Sequence, residues 1–295
     1  MFATSRHVQF FRPDMLTISR SLAALLIAPM IASAASTPKP VDPSAKLGST
    51  IFPWTDVNFK PGATKAGRSI TNRPSPTFEI FESHVTRLAE GTASHPPHQH
   101  AQEEFIIVKE GTLEVHINGK TQRAPTGSIL FYASFDFHGV RNIGRGPATY
   151  MVFNYRTTRT ASAPKQPAAE SAPAGTLRSA VFEWDKLPVK ETKTGERRLI
   201  CDAPTVTLLG LKGEAVTLRA GTPAVPGRHP DEELVLIKEG TFEATLNGKA
   251  ERIGPGSVVF VASNDEHSLR NVGDSSATYY SFRMTTPATP KAVAR

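Results

Sequence analysis

The chain has 295 residues, 39% of them hydrophobic and 21% charged, with one cysteine and a formal net charge of +7. That length allows one large domain or two ordinary ones, each with a sizeable core, and the lone Cys201 excludes an intramolecular disulfide framework. Basic residues are scattered among acidic ones, with no one-sign run and no aromatic interleaving, which argues for a solvated surface and against a nucleic-acid-binding one.

The first predicted element is a leader. Arg20 stands before an apolar stretch that is broken by Pro29 and ends in Ala32-Ser33-Ala34, an A-x-A cleavage pattern. A signal peptide is therefore expected over residues 1–34, cut after Ala34, with Met15 as an alternative start. The stretch falls short of the roughly 20 apolar residues of a membrane span, so no membrane association is expected after cleavage. A twin-arginine pair is lacking, which predicts Sec-type export to the periplasm or exterior. Arg6, Arg12, Arg20 and Asp14 lie in the leader, so removing its +2 from the total leaves +5 for residues 35–295.

Beyond the leader the chain is one unit written twice. Placing Glu104 on Glu233 sets an offset of 129 residues that runs without a gap from residue 98 to beyond 150. EEFIIVKEGT falls on EELVLIKEGT, GSILFYAS on GSVVFVAS, and HGVRNIG on HSLRNVG; upstream, with small gaps, STIFPW at 49–54 matches SAVFEW at 179–184. The repeats are placed at 47–155 and 177–285. Within each, β-branched and aromatic runs alternate with turn signals, and Asn118-Gly119 and Asn247-Gly248 predict tight hairpins. The expected class is all-β, as two small barrels or jelly-roll sandwiches. Residues 156–176, rich in Ala and Pro, are expected to form an exposed, flexible linker, and residues 286–295 a tail of the same character.

The chemistry is concentrated in HPPHQHAQEEFIIVKEG, residues 95–111. His98 and His100 share one side of an extended strand. Parity puts Glu104, Ile106 and Val108 on one face of the following strand and Glu103, Phe105 and Ile107 on the other, without saying which face is inside. His95 is expected at a rim or surface. His84 is read either as a pocket residue or as an ordinary strand histidine, His116 as a strand-surface residue, and Phe131, Phe135 and Phe137 as core or cavity wall.

The series His98-x-His100, three residues, Glu104, six residues, Gly111 resembles the first signature of the cupin superfamily. Gly119, Pro125 and Gly127, then His138 with three residues before Asn142, resemble the second. The resemblance, to two-domain cupins with quercetin-dioxygenase-like motifs, implies tandem double-stranded β-helix barrels. It also implies that His98, His100, Glu104 and His138 converge on one divalent metal, with Glu104 able to double as a catalytic base. Three neutral imidazoles and a carboxylate suit Fe, Mn, Cu, Zn or Ni and leave positions open for a small molecule.

In the second half Gly227 replaces His98, while His229, Glu233 and His267 remain. These three suit either an open facial triad or a decayed site, and Arg228 is placed to pair with Glu233 or an anion. One metal per competent barrel and a small-molecule substrate or ligand are implied, in a monomeric pseudo-dimer or a homodimer. The activities implied are dioxygenase-like metalloenzyme chemistry at the N-terminal site, non-catalytic periplasmic binding, or Lewis-acid hydrolysis or isomerisation like that of ureidoglycine aminohydrolase.

Overall fold

A computed structural model describes residues 45–291; the leader at 1–34, the choice between Met1 and Met15, and the end of the tail lie outside the described residues. The first repeat forms β1 (Thr50–Phe52), β2 (Lys65–Arg73), β3 (Ile80–Leu88), β4 (Glu103–Glu110), β5 (Thr112–Ile117), β6 (Lys120–Pro125), β7 (Ile129–Tyr132), β8 (His138–Asn142) and β9 (Ala148–Arg156). The second forms β10 (Ala180–Phe182), β11 (Val189–Thr192), β12 (Gly195–Ala203), β13 (Gly210–Leu218), β14 (Glu232–Glu239), β15 (Phe242–Leu246), β16 (Lys249–Ile253), β17 (Val258–Val261), β18 (His267–Asn271) and β19 (Ala277–Thr285). The chain is nearly all-β, as two jelly-roll barrels whose paired strands run antiparallel.

Each barrel sets a large sheet against a three-stranded one. In the N-terminal barrel the order is β10-β7-β4-β9-β3-β2 against β6-β5-β8, and in the C-terminal barrel β1-β17-β14-β19-β13-β12-β11 against β16-β15-β18. The first strand of each repeat thus leaves its own barrel and completes the sheet of the other. Thr50 to Phe52 pair with Phe260 to Val258, and Ala180 to Phe182 with Phe131 to Ile129. Trp54, just past β1, packs on Gly256 of the opposite repeat, where an added Cβ would lie 2.6 Å from the indole. The exchange therefore needs a residue without a side chain there, and Gly256 also takes φ +88°.

The predicted hairpins form, with Asn118 and Asn247 at φ 45° and 47° joining β5 to β6 and β15 to β16. The parity of β4 has an answer that alternation alone does not reach, because both faces are buried. Ile106 and Val108 enter a cluster inside the N-terminal barrel with Leu113, Leu130 and Val152. Phe105 and Ile107 enter a second cluster shared by both repeats, where Phe105 stacks on Phe282 at 4.7 Å and Phe81 meets Phe260 at 5.0 Å. A strand covered on two sides reads as a continuous apolar run. The C-terminal barrel has its own interior cluster around Val235, Phe242 and Val259.

The connection between the repeats is more firmly tied down than its composition suggests. It carries a 3-10 turn at Thr160–Ser162 and a single helical turn at Ala168–Ser171. Ala168 is buried and its amide donates to the Ser134 carbonyl at 3.1 Å. Thr286, at the start of the expected tail, is likewise buried and donates from its hydroxyl to the Thr77 carbonyl. In the first place a backbone amide and in the second a side-chain hydroxyl finds a carbonyl partner on the barrels that composition does not reveal. Among the described residues no helix is long and apolar enough to cross a membrane.

Candidate metal centres

The N-terminal site lies where the segment before β4 meets the start of β8. His98 and His138 face each other across a two-way backbone bridge, His98 N–H to His138 C=O at 2.9 Å and the reverse at 2.8 Å. His100, two residues on, carries its ring to the same point. One ring nitrogen from each of His98, His100 and His138 lies within 4.8 Å of the others. Two of the rings are held by the backbone: His100 Nδ1 donates to the Gln102 carbonyl at 2.8 Å, and His138 Nδ1 to the Asp136 carbonyl at 2.7 Å. A ring fixed in that way turns its bare Nε2 inward. Phe135, at φ 58°, closes the loop by donating its amide to the His100 carbonyl.

Electrostatics keep these rings neutral. Burial lowers the pKa of His98 and His100 and takes His138 down to about 3. Buried polar atoms ordinarily find partners, yet His138 Nε2 and His98 Nδ1 are buried without any. An orphaned Nε2 on His138, with a neutral ring nitrogen from each of His98 and His100 close by, is a donor set that fits a divalent metal.

Glu104, paired in register with Tyr132 on β7 and Asn154 on β9, lines the same cavity. Its Oε2 stands 3.9 Å from His100 Nε2, outside the tight histidine group but at its edge. Burial, reinforced by the Glu82 carboxylate, raises its pKa to about 8. The cavity holds about 280 Å³, and beside the four predicted residues its wall includes His84, His95, Ile106, Tyr132, Tyr150 and Asn154. Tyr132 stacks on His138 at 4.3 Å, and burial together with the Glu104 carboxylate keeps its hydroxyl protonated.

His95 is exposed at the cavity rim, as expected. His84 takes the pocket position, its Nδ1 3.4 Å from Glu82. His116 receives the Gly119 amide at 3.2 Å, outside the cavity. Phe131 packs in the shared core, while Phe137 is 41% exposed and neither it nor Phe135 lines the cavity. Tyr132 and Tyr150 were not singled out by sequence. The interior parity of Leu130 and of Val152 carries each of them to the cavity side, and that was the available signal.

The C-terminal site repeats the frame with a different resting state. Gly227 makes with His267 the two-way bridge that His98 makes with His138. His229, Glu233 and His267 offer ligand atoms within 4.8 Å of one another. Here the carboxylate is drawn in: Glu233 Oε2 lies 3.1 Å from His229 Nε2 and 3.3 Å from His267 Nε2, and Ser281 donates to the other oxygen. Burial alone would raise Glu233, but those hydrogen bonds outweigh it and hold the carboxyl well below its usual range. Burial would likewise lower His267, yet the Glu233 carboxylate raises it. The three groups therefore satisfy one another, unlike the orphaned nitrogens of the first site. Arg228 does not reach Glu233. It is exposed, donates to the Asn264 carbonyl and lies 3.7 Å from Glu266, because the bridge turns successive side chains alternately in and out.

The family model described as the cupin domain matches residues 84–154 and 214–283, one match per repeat. The chain is a two-domain member of the cupin superfamily. Among solved structures it resembles Ylba from E. coli at 11% identity and TM-score 0.64, over 85% of this chain and 95% of that one. It resembles the oxalate decarboxylase of Lactobacillus farciminis, in a formate complex, at 14% identity and TM-score 0.59, over 82% and 88%. It also resembles salicylate 1,2-dioxygenase from Pseudoaminobacter salicylatoxidans at 17% identity and TM-score 0.53, over 70% of each chain. At these identities the likeness is one of fold. A comparison with curated protein sequences returns no match.

Proposed function

We propose that this bicupin is an exported, metal-dependent enzyme of dioxygenase-like type acting on a small organic molecule in the N-terminal barrel. The observation that carries the reading is the group of ring nitrogens from His98, His100 and His138, one of them the partnerless Nε2 of His138, at the wall of a cavity of about 280 Å³. In this reading His98, His100, His138 and Glu104 hold the metal. A bound divalent ion supplies Lewis acidity, and a redox-active one supplies oxygen chemistry as well. The chain does the rest. Ile106, Val140 and Val152 give the cavity an apolar wall that excludes water from a bound substrate. Tyr132 offers a hydroxyl proton, and Glu104 Oε2 can take a proton from a substrate group and return it. Export rests on the A-x-A leader, and mature protein beginning at Ala35 on N-terminal sequencing would support it.

The test is reconstitution with Fe(II), Mn(II), Cu(II) and Zn(II), followed by oxygen consumption with flavonols, catechols and small diacids. Turnover with a redox metal, lowered about a hundredfold or more by Glu104→Gln, is the expected result. Tight binding by calorimetry with no turnover under any metal would make the protein a binder instead, and turnover with Zn(II) alone would make it a Lewis-acid enzyme.

A further inference from the structure

Two residues identical in both repeats are absorbed neither by the metal set nor by the apolar core. Asp136 and Asp265 correspond at the repeat offset, as do Glu103 and Glu232. All but Asp265 are buried: Asp136 is 1% exposed, and Glu103 and Glu232 are 0%. A buried carboxylate is costly unless it is well hydrogen-bonded, and each of these finds at least one side-chain partner in the opposite repeat.

Ser179 precedes the exchanged strand β10. Its hydroxyl accepts the Ala133 amide at 2.8 Å and donates to Asp136 Oδ2 at 2.6 Å. The other Asp136 oxygen accepts the Ala169 amide at 3.1 Å, and the Asp136 carbonyl is the group that receives His138 Nδ1–H. One residue before Glu104, Glu103 points into the joint between the repeats. It accepts hydrogen bonds from the hydroxyls of Thr205 and Thr207, from the amides of Val206 at 2.9 Å and Thr207 at 3.2 Å, and from the Tyr155 hydroxyl at 3.3 Å. The mirror contacts exist. Ser49 accepts the Ala262 amide and donates to Asp265 Oδ2 at 2.6 Å, and the Asp265 carbonyl faces His267 Nδ1 at 3.2 Å. Ser75 donates to Glu232 at 2.6 Å and the Thr77 amide lies 3.3 Å from it.

We propose that each half braces the other's metal site. Ser179 acts through Asp136 on His138, Thr205 and Thr207 act through Glu103 on Glu104, and Ser49, Ser75 and Thr77 do the same for the C-terminal site. These are positioning residues. Groups behind a ligand fix its ring orientation and donor atom, and metal affinity depends on them. The inference gives the second repeat a task that its own reduced ligand set does not: through Ser179 beside the exchanged strand and through Thr205 and Thr207, it holds the N-terminal site in shape.

The inference rests on the N-terminal site holding a metal, and the test keeps the two apart. Co(II) is titrated calorimetrically into full-length protein carrying His229→Ala and His267→Ala, so that only the N-terminal site reports. Ser179→Ala and, separately, Thr207→Val are expected to weaken Co(II) binding by about 10- to 100-fold. Ser179→Thr, which keeps the hydroxyl, restores it. Ser49→Ala removes the same kind of contact from the other barrel and is expected to leave N-terminal affinity within about threefold of the parent, although its unfolding temperature falls as much as that of Ser179→Ala. Equal weakening by Ser49→Ala and Ser179→Ala would reduce the effect to global stability and overturn the proposal. So would unchanged affinity in both Ser179→Ala and Thr207→Val, with metal binding by the parent intact. Absence of Co(II) binding by the parent would instead remove the N-terminal metal site itself, and the bracing with it.

Discussion

At the position of His98 the second repeat has Gly227, and the difference decides how each site rests. Without the third imidazole, the carboxylate of Glu233 moves between His229 and His267 and satisfies them, whereas in the first repeat three rings face the cavity and Glu104 stays at their edge. The vacated vertex is still accessible to a side chain. A Cβ on Gly227 would sit 3.5 Å from His267 Nε2, in ordinary contact, and the residue is not in the left-handed region. Gly227→His is therefore expected to raise Co(II) affinity at the C-terminal site by about tenfold, ~1.4 kcal/mol, when titrated in a His98→Ala, His138→Ala background; unchanged affinity would mean that the fourth ligand was never what the site lacked. Cys201 allows a separate check. It is buried at the joint, and burial pushes its thiol up to about 11, so at pH 8 the thiol form dominates and the reactive thiolate is scarce. Native protein at pH 8 should resist iodoacetamide, while protein in denaturant is labelled fully; rapid labelling of the native state would show that the joint opens.

At the level of elements, β4 and its counterpart β14 carry the functional geometry. Each is sealed on both faces, so successive residues serve different purposes: Glu104 lines the N-terminal cavity, and Glu103 beside it reaches the opposite repeat. The strand pattern, the Asn-Gly hairpins and the spacing of the four candidate ligands could be read from the sequence, because each depends on local chemistry or on a motif. The role of Glu103 could not. Alternation assigns one face inside and one outside, and it fails where a second barrel covers the outer face. The contacts of the linker are equally out of reach of the sequence, since composition does not say where an amide such as that of Ala168 meets a carbonyl such as that of Ser134. Phe105 tests the double burial of β4. It is 1% exposed and stacked on Phe282 and Phe153, so Phe105→Ala is expected to cost about 3–5 kcal/mol, measured by denaturant unfolding. A cost below about 1 kcal/mol would be the value for a surface position and would place the residue outside a packed core.

Over the whole molecule, the exchange of β1 and β10 and the shared cluster of phenylalanines join two homologous barrels into one compact unit of the described residues. The match of STIFPW to SAVFEW showed that both repeats begin with the same strand, but a repeat alignment places an element in its own copy and cannot show it crossing to the other. The ordinary expectation for two domains is two unfolding steps. A shared core predicts one: calorimetry should give a single transition with matching calorimetric and van't Hoff enthalpies, and two resolved transitions would contradict the joint as described. In the proposed function the N-terminal barrel holds a divalent metal through His98, His100, Glu104 and His138. Elemental analysis of protein purified from its own cells tests it most directly, comparing the wild type with His138→Ala and His267→Ala. About one equivalent of metal per chain is expected to be lost on changing His138 and retained on changing His267. Identical metal content in the wild type and His138→Ala would contradict it.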